Sequence, residues 1–470
     1  MIGRVSKLIH VILCDGIFEF SRGRLGGGPL LFRDAILLMA LGPFVYYILT
    51  LWASFVYFWQ NKRPVANTSV YLPPVSILKP VRGLDREAYE NFASFCLLDY
   101  PEYEILFCVN SADDPAVPII EQLQCDFPER SIRLLIGAPH VGASGKVNKL
   151  CRLVQEARHD LLVISDSDVR VEPNYLRDVA APFVDPKVGA VTVFFRSLTG
   201  GSSGATLDAT GSAVEFAASA LLARKLGGIH FTLGATMATT KALLAEIGGF
   251  EALANRYVDD YELGNRIAQL GYKVELARTP VCMVYPRENL LQFLRHELRW
   301  TIGLRNVRPL GHAAIGLTFG LPWTILAAIV APSAAVASLY VLTYLVLRAA
   351  VYLTVGVAGL QDPVVRRTWW LAPLRDAASF GVWIASFFSN RIFWRGLEFR
   401  VKKGRLIPLG EPLRENGASS ARGPAGSASP GESFREAIER TTVLMEPAVD
   451  FAARGAHSRE VDLEKTRELG

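Results

Sequence analysis

Twenty-five consecutive residues, Ala35 to Trp59 (AILLMALGPFVYYILTLWASFVYFW), carry no charge, and the uncharged run is bounded only by Asp34 and Lys62. A stretch this long exceeds the roughly 20 apolar residues with which an α-helix crosses a bilayer. The sequence therefore predicts a membrane helix over residues 35–60, preceded by a polar or amphipathic segment over residues 1–34. Asp15 and Glu19 interrupt the apolar run behind Arg4 and Lys7, which argues against a cleaved signal peptide. A second uncharged region runs from Arg308 to Arg348 and on to Gln361, broken by Ala331-Pro332-Ser333, and reads as a membrane hairpin over residues 310–361. Arg348 inside it is expected either to snorkel to an interface or to contact an anionic lipid. Residues 369–388 are apolar at both ends but contain Arg375 and Asp376, so this stretch crosses the bilayer or lies in its interface.

The remaining composition narrows the class of partner. Net charge is only +5 over 470 residues, and Arg391, Arg395, Arg400, Lys402, Lys403 and Arg405 cluster just after the apolar segments. That basic juxtamembrane segment, residues 389–410, suits anionic lipid headgroups better than nucleic acid, so no nucleic-acid partner is expected. The six cysteines form no CxxC pair, which fits a reduced compartment. From residue 411 to 470 the chain turns to Ala, Gly, Ser, Arg and Glu, too poor in large apolar residues to offset ordering entropy, and reads as a disordered tail.

Between the apolar segments, residues 72–308 alternate short apolar runs with helical patterns, the signature of an α/β domain with a mostly parallel sheet. Strands are expected at Val75 to Leu78, Glu104 to Val109, Ile132 to Ile136, Leu161 to Ser165 and Ala190 to Phe195. Helices are expected at Arg86 to Leu97, Val117 to Phe127, Lys146 to Ala157 and Tyr261 to Leu270. Ligands of such sheets bind beyond the carboxyl ends of the strands. Three strands run there into polar residues: Lys79-Pro80-Val81-Arg82-Gly83, Asn110 to Pro115, and Asp166-Ser167-Asp168. Residues two apart on extended backbone project to one side, so Asp166 and Asp168 can jointly offer oxygens to Mg²⁺ or Mn²⁺. The bland reading of that triplet is a polar turn. Asp259-Asp260-Tyr261-Glu262 opens a helix, where carboxylates also favour the helix dipole without any chemistry. Near the end of a later amphipathic helix, Arg299 suits a phosphate, and Trp300 suits a sugar face or an interfacial aromatic belt. Gly142 to Lys146 fails as a P-loop, because Val147 stands where Ser or Thr is needed and His140 where a glycine is needed; Lys146 remains a point charge at a helix start that can approach a phosphate.

Taken together, KPVRGLD, CVNSADDPA, DSDVRV, VDDYELGNRI and RHELRW resemble, in order and spacing, the ceramide glucosyltransferase group of inverting glycosyltransferases, which includes bacterial hopanoid-modifying members. The resemblance implies a glycosyltransferase-A-type catalytic domain with transmembrane helices on both sides, facing the cytoplasm from a multi-pass position in the inner cell membrane. It implies transfer of glucose or N-acetylglucosamine from a UDP-sugar to a hydroxyl of a ceramide-like or hopanoid membrane lipid. By position, Asp114 would lie near the uridine, Asp166 and Asp168 would hold the metal and diphosphate, and Asp260 would be the general base. Lys79, Lys146, Arg299 and Trp300 would contact the donor. The group's (Q/R)xxRW element has His296 at its first position here, a departure that weakens a phosphate role for residue 296. It also weighs against the alternative, a processive polysaccharide synthase, which usually has Gln there. A membrane receptor or transporter using the fold only for binding would not need Asp260 beside an intact metal motif.

Overall fold

The computed structural model describes residues 28–61, 71–394 and 397–409. The expected tail, 411–470, and most of the expected N-terminal segment, 1–34, lie outside the described residues. The chain enters through helices α1 (Gly28–Met39) and α2 (Gly42–Asn61), which together give an apolar span over Leu31–Trp59, 29 residues long. That length is ample for a bilayer crossing at about 1.5 Å per residue.

The middle of the chain supplies β1 (Val75–Pro80), β2 (Tyr103–Val109), β3 (Ser131–Ile136), β4 (Leu161–Ile164), the two-residue β5 (Val169–Arg170), β6 (Val188–Thr192), β7 (Phe195–Leu198), β8 (Met237–Thr240), β9 (Lys273–Leu276) and β10 (Val281–Val284). Seven of them form a mixed sheet in the order β3-β2-β1-β4-β8-β6-β9, parallel except for β8, which runs against both β4 and β6. The central strands β1 and β4 are buried along their whole length, as continuous apolar runs covered on both faces must be. The helices of this region are α3 (Ala88–Cys96), α4 (Val117–Asp126), α5 (Gly145–Glu156), which packs on β1, α6 (Tyr175–Ala180), α7 (Ser203–Leu226), α8 (Lys241–Glu246) and α9 (Asp259–Gln269). The single strand expected at Ala190 to Phe195 is two: β6 stops at Thr192, and β7 leaves the large sheet to join β5 and β10 in a second one.

Helix α7 joins the sheet domain to the apolar helices. Its glycines and alanines allow close approach: a methyl at Gly204 would come within 2.3 Å of the Asn289 carbonyl, and one at Gly211 within 2.1 Å of Arg375 Nε. After it come α10 (Leu290–Val307), α11 (Pro309–Ile315), α12 (Gly320–Val330), α13 (Ala334–Val351), which continues as a π-helix over Tyr352–Gly359, α14 (Pro363–Thr368) and α15 (Ala372–Ser386). Ala334–Gly359 is a second helix long and apolar enough to cross a membrane, and α11 with α12 forms a pair bent by 46° that makes a third if counted as one span.

Arg348 is buried within the protein. Its Nε donates to both oxygens of Asp376 at 3.0 Å and its Nη2 to Glu215 at 3.0 Å. Arg375 is likewise buried, 2.9 Å from Glu297 and 3.6 Å from Glu215. The charges that made residues 369–388 read as interfacial are thus consumed in ion pairs with α7, α10 and α13, the condition under which buried charge is tolerated. Helix α15 itself has 15 residues, shorter than the roughly 20 of a crossing.

The segment 389–410, read as a basic juxtamembrane stretch, contains a three-stranded antiparallel sheet: β11 (Arg391–Trp394), β12 (Leu397–Lys402) and β13 (Arg405–Pro408). Lys403 and Gly404 join β12 to β13 with φ of 51° and 71°. Positive φ at both central residues is the two-residue hairpin turn that matches strand twist, and Gly at the second position adopts it without strain.

Candidate active site

The chain builds β1, β2 and β3 outward in one direction and then returns to place β4 on the other side of β1. This reversal opens a crevice at the carboxyl ends of β1 and β4. There, β4 runs into Ser165-Asp166-Ser167-Asp168, and β1 into the loop that ends in Asp85. Ser167 donates to Asp85 through a short hydrogen bond, and the Val284 N–H donates to the Asp168 carbonyl at 2.9 Å, so both sides of the aspartate turn are held.

Two helix starts deliver the other charged groups. Ser144 caps α5, its Oγ accepting from the Val147 N–H, and this aims Lys146 into the crevice. Lys146 Nζ lies 2.6 Å from Asp166 Oδ1 and 3.7 Å from Asp259 Oδ2. On the first turn of α9, Asp260 Oδ1 accepts from the Tyr261 N–H at 2.8 Å, and the Asp260 carbonyl accepts from Thr232 Oγ1 at 2.7 Å. The three groups meet at Gly234. A methyl there would sit 3.0 Å from Asp166 Oδ2, 3.3 Å from Asp260 Oδ2 and 3.6 Å from Lys146 Nζ. Gly234 keeps this point free of side chain.

Five carboxylates (Asp85, Asp166, Asp168, Asp259, Asp260) face two ammonium groups, Lys79 and Lys146, in this region. Burial, then Asp166 and Asp85, push the Asp168 carboxyl up to about 7, and its Oδ1 has no hydrogen-bond partner. Burial and Asp259 raise Asp260 to about 7, with Lys146 pulling the other way. Burial would lower Lys146, but Asp166, Asp259 and Asp260 outweigh it and hold its pKa above the ordinary lysine range. A surplus of hard oxygen donors with two buried oxygens, Asp168 Oδ1 and Asp259 Oδ2, lacking hydrogen-bond partners fits a divalent cation such as Mg²⁺ or Mn²⁺.

The other site residues expected from the sequence have the following places. Lys79 lies under the aspartate turn and not at the crevice opening: it is fully buried, its Nζ 3.7 Å from the Phe95 ring centroid and donating to the Asp166 carbonyl at 2.9 Å. Burial lowers it to about 7, against the pull of Asp166 and Asp168. The register of β1 on β4, with Leu78 opposite Ile164, sets Lys79 beside Ser165 and explains this position. Asp114 is half-buried and accepts from the Gly83 N–H at 3.0 and 3.1 Å and from the Ala116 N–H at 3.0 Å, tying the loops after β1 and β2 together. Arg299 and Trp300 lie on α10. The Arg299 carbonyl accepts from the Tyr257 hydroxyl at 3.0 Å, which links α10 to the loop before Asp259, and the Arg299 guanidinium sits 5.4 Å from the Trp300 ring centroid.

His296 stands in a second cluster. Ligand atoms of Asp208, Glu288 and His296 lie within 4.8 Å of one another, the geometry of a metal site. The hydrogen bonding argues otherwise. Trp300 Nε1, which can only donate, lies 2.8 Å from His296 Nε2, so that nitrogen accepts and the proton of the neutral ring sits on Nδ1. Nδ1 faces Asp208 Oδ2 at 3.3 Å and Glu288 Oε2 at 3.9 Å without a hydrogen bond to either. The cluster sets an imidazole beside two carboxylates and holds Trp300 through the indole N–H.

With this geometry established, comparison with known proteins places the chain. Residues 35–407 match the profile of glycosyl transferase family 21. The chain belongs to that family. Ceramide glucosyltransferase 3 of Caenorhabditis elegans is 28% identical over 242 residues, covering 49% of this chain and 50% of the relative. Ceramide glucosyltransferase 1 of the same organism is 25% identical over 310 residues, 63% of this chain and 62% of the relative. A Komagataella phaffii ceramide glucosyltransferase is 30% identical over 143 residues, 28% of each chain. The matched regions thus span between about a quarter and under two thirds of these relatives. Among solved structures, the mannosyltransferase PcManGT from Pyrobaculum calidifontis, in complex with GDP-Man and Mn²⁺, is similar with a TM-score of 0.46 and 20% identity, over 74% of this family 21 chain and 99% of that one.

Proposed function

We propose that this family 21 protein transfers a hexose from a UDP-sugar to a hydroxyl of a membrane lipid, with inversion at the anomeric carbon. The observation that carries the reading is the meeting of Asp166, Lys146 and Asp260 at Gly234, in the crevice between β1 and β4. Relatives named as ceramide glucosyltransferases support a ceramide-like acceptor, and a hopanoid polyol is the second candidate. The packing of α2 directly on α7 supports delivery of that acceptor from the bilayer. Glucose or N-acetylglucosamine is the expected sugar, and the cytoplasmic face of the inner cell membrane, entered by several spans, is the expected location.

Asp166 and Asp168 are the residues that would hold Mg²⁺ or Mn²⁺, which when bound neutralises charge on the departing nucleoside diphosphate. Lys146 adds a point charge at the same place, and Arg299 offers a planar donor to the phosphates. Asp260 accepts the proton of the acceptor hydroxyl as its oxygen attacks the anomeric carbon from the face opposite the leaving group. One displacement of this kind inverts the configuration. Asp114 braces the loops at the nucleoside end, and Trp300 offers a ring face to the sugar. Lys79 acts from behind by fixing the Asp166 backbone. The alternative, a processive polysaccharide synthase, threads its polymer through a bundle of spans. The described residues contain two helices able to cross, or three with the bent pair, which favours single transfer.

Mass spectrometry of lipids from cells with and without the gene tests donor and acceptor together. A new hexosyl lipid is expected; a new polysaccharide with unchanged lipids would support the synthase instead.

The His296 arrangement gives a sharper expectation. Gln can accept from the Trp300 indole and donate to Asp208, whereas Leu does neither. His296→Gln should leave the donor KM near the parent value. His296→Leu should raise it by about tenfold, the effect of losing about 1.4 kcal/mol of hydrogen bonding, and should shift Trp300 fluorescence. Equal KM values for the two variants would remove His296 from this role.

A further inference from the structure

The sheet formed by β11, β12 and β13 has two unlike faces. Inward, Ile392, Phe399, Val401 and Leu406 are buried with Tyr257 and Ile302. Outward, Arg391 stands directly opposite Arg400, and Lys402 opposite Arg405, all four exposed. Like charges directly opposite each other on one sheet face are destabilising. Glu398 is the one acidic side chain among the described strand residues of this face, 3.4 Å from Arg391. Phe393, 63% exposed, and Ile407, 41% exposed, stand among the cations. A face that sets aromatic and aliphatic side chains between repelling cations is built to meet an anionic, partly apolar surface.

The position of the sheet identifies that surface. Helix α15 ends at Ser386, and Phe388, 85% exposed, follows before β11 begins. Arg305, on the last turn of α10, donates to the Ser389 carbonyl at 2.8 Å, and the apolar α11–α12 pair starts at Pro309. The sheet therefore sits where the chain passes between its polar domain and its apolar helices. We infer that the outward face of this sheet docks on the anionic headgroups of the bilayer that holds those helices, with Arg391, Arg400, Lys402 and Arg405 on the phosphates and Phe393 in the interface. The docking does not depend on the reaction proposed above.

Its consequence reaches the crevice through backbone hydrogen bonds. The Tyr257 N–H donates to the Gly404 carbonyl at 3.0 Å, and the Leu406 N–H to the Asn255 carbonyl at 3.0 Å. Asn255 Oδ1 accepts from the Ala143 N–H at 3.0 Å, and the Ser144 N–H donates to the Ala254 carbonyl at 2.9 Å. These bonds hold the loops that lead into Asp259-Asp260 and into Lys146, so a sheet pinned on the membrane restrains both.

The test is hydrogen exchange on the full-length protein in nanodiscs of phosphatidylcholine alone or mixed with phosphatidylglycerol, at low and high salt. Phosphatidylglycerol should slow exchange across residues 391–408 and 254–258 by about tenfold, and salt should erase the slowing, because headgroup attraction is screened over a Debye length. The triple variant R391Q/R400Q/K402Q should match the parent in phosphatidylcholine and show no response to phosphatidylglycerol. Equal exchange of the parent in the two lipids would overturn the inference, as would a variant that still responds. So would full protection already present in phosphatidylcholine, which would point to another cover such as the chain's own residues 410–470.

Discussion

Asp260→Asn is expected to lower turnover by about two to four orders of magnitude, the usual contribution of a positioned general base, while UDP-sugar binding stays near the parent value. Asn keeps the shape, and its carbonyl oxygen still accepts the Tyr261 N–H, so the start of α9 should not unravel. The variant loses the capacity to take a proton and one negative charge beside Lys146. The pH profile carries the same signature. A base works deprotonated, and burial with Asp259 raises Asp260 to about 7. In the parent, kcat/KM should therefore fall as pH drops below about 7, roughly tenfold per unit for a single ionisation, and level off above it. The residual activity of Asp260→Asn should lack this limb. Isothermal titration of UDP-sugar alongside steady-state kinetics separates the two effects, and full turnover by the variant would remove Asp260 from the role of base.

Asp166→Ala is expected to act on both binding and chemistry. Asp166 is the direct partner of Lys146, and its removal leaves that ammonium facing Asp259 at 3.7 Å. If Asp166 and Asp168 hold the cation, their loss costs several kcal/mol of charge stabilisation on the leaving group, or about three orders of magnitude in kcat/KM. Binding of Mn²⁺, followed by its paramagnetic resonance in the presence of UDP, should weaken in the same variant. This readout does not require turnover. Unchanged Mn²⁺ binding would assign the cation to other donors.

How far the sequence reaches can be judged residue by residue. The position of Asp166 at a strand's carboxyl end was legible because a fully apolar strand, Leu161 to Ile164, stops one residue short of it. The two membrane-length helices were legible because length and absence of charge are one-dimensional properties. Lys79 was not legible: whether a lysine at a strand end points up into a crevice or down under a turn depends on Phe95 and Ser165, residues brought in by α3 and β4. Arg348 and Arg375 looked like interfacial charges because their partners Glu215 and Glu297 come from segments more than seventy residues away, and Asp376 because its partner Arg348 lies on a different helix. The sheet of β11 to β13 carried a period-two pattern, but its dense charge read as a basic juxtamembrane segment. Only the packing of Ile392, Phe399, Val401 and Leu406 against Tyr257 reveals the alternation as structure. Strand β8 escaped notice because Met237-Ala238-Thr239-Thr240 lacks the continuous apolar run that marks β4.

The account centres on one displacement at the anomeric carbon, with Asp260 as base and the aspartate pair behind the leaving group. The most direct measurement is proton NMR of the glycolipid made by the purified full-length protein from UDP-glucose and a short-chain ceramide. UDP-glucose is an α-linked donor, so a single displacement yields a β-linked product with a large anomeric coupling. An α-linked product would contradict the account.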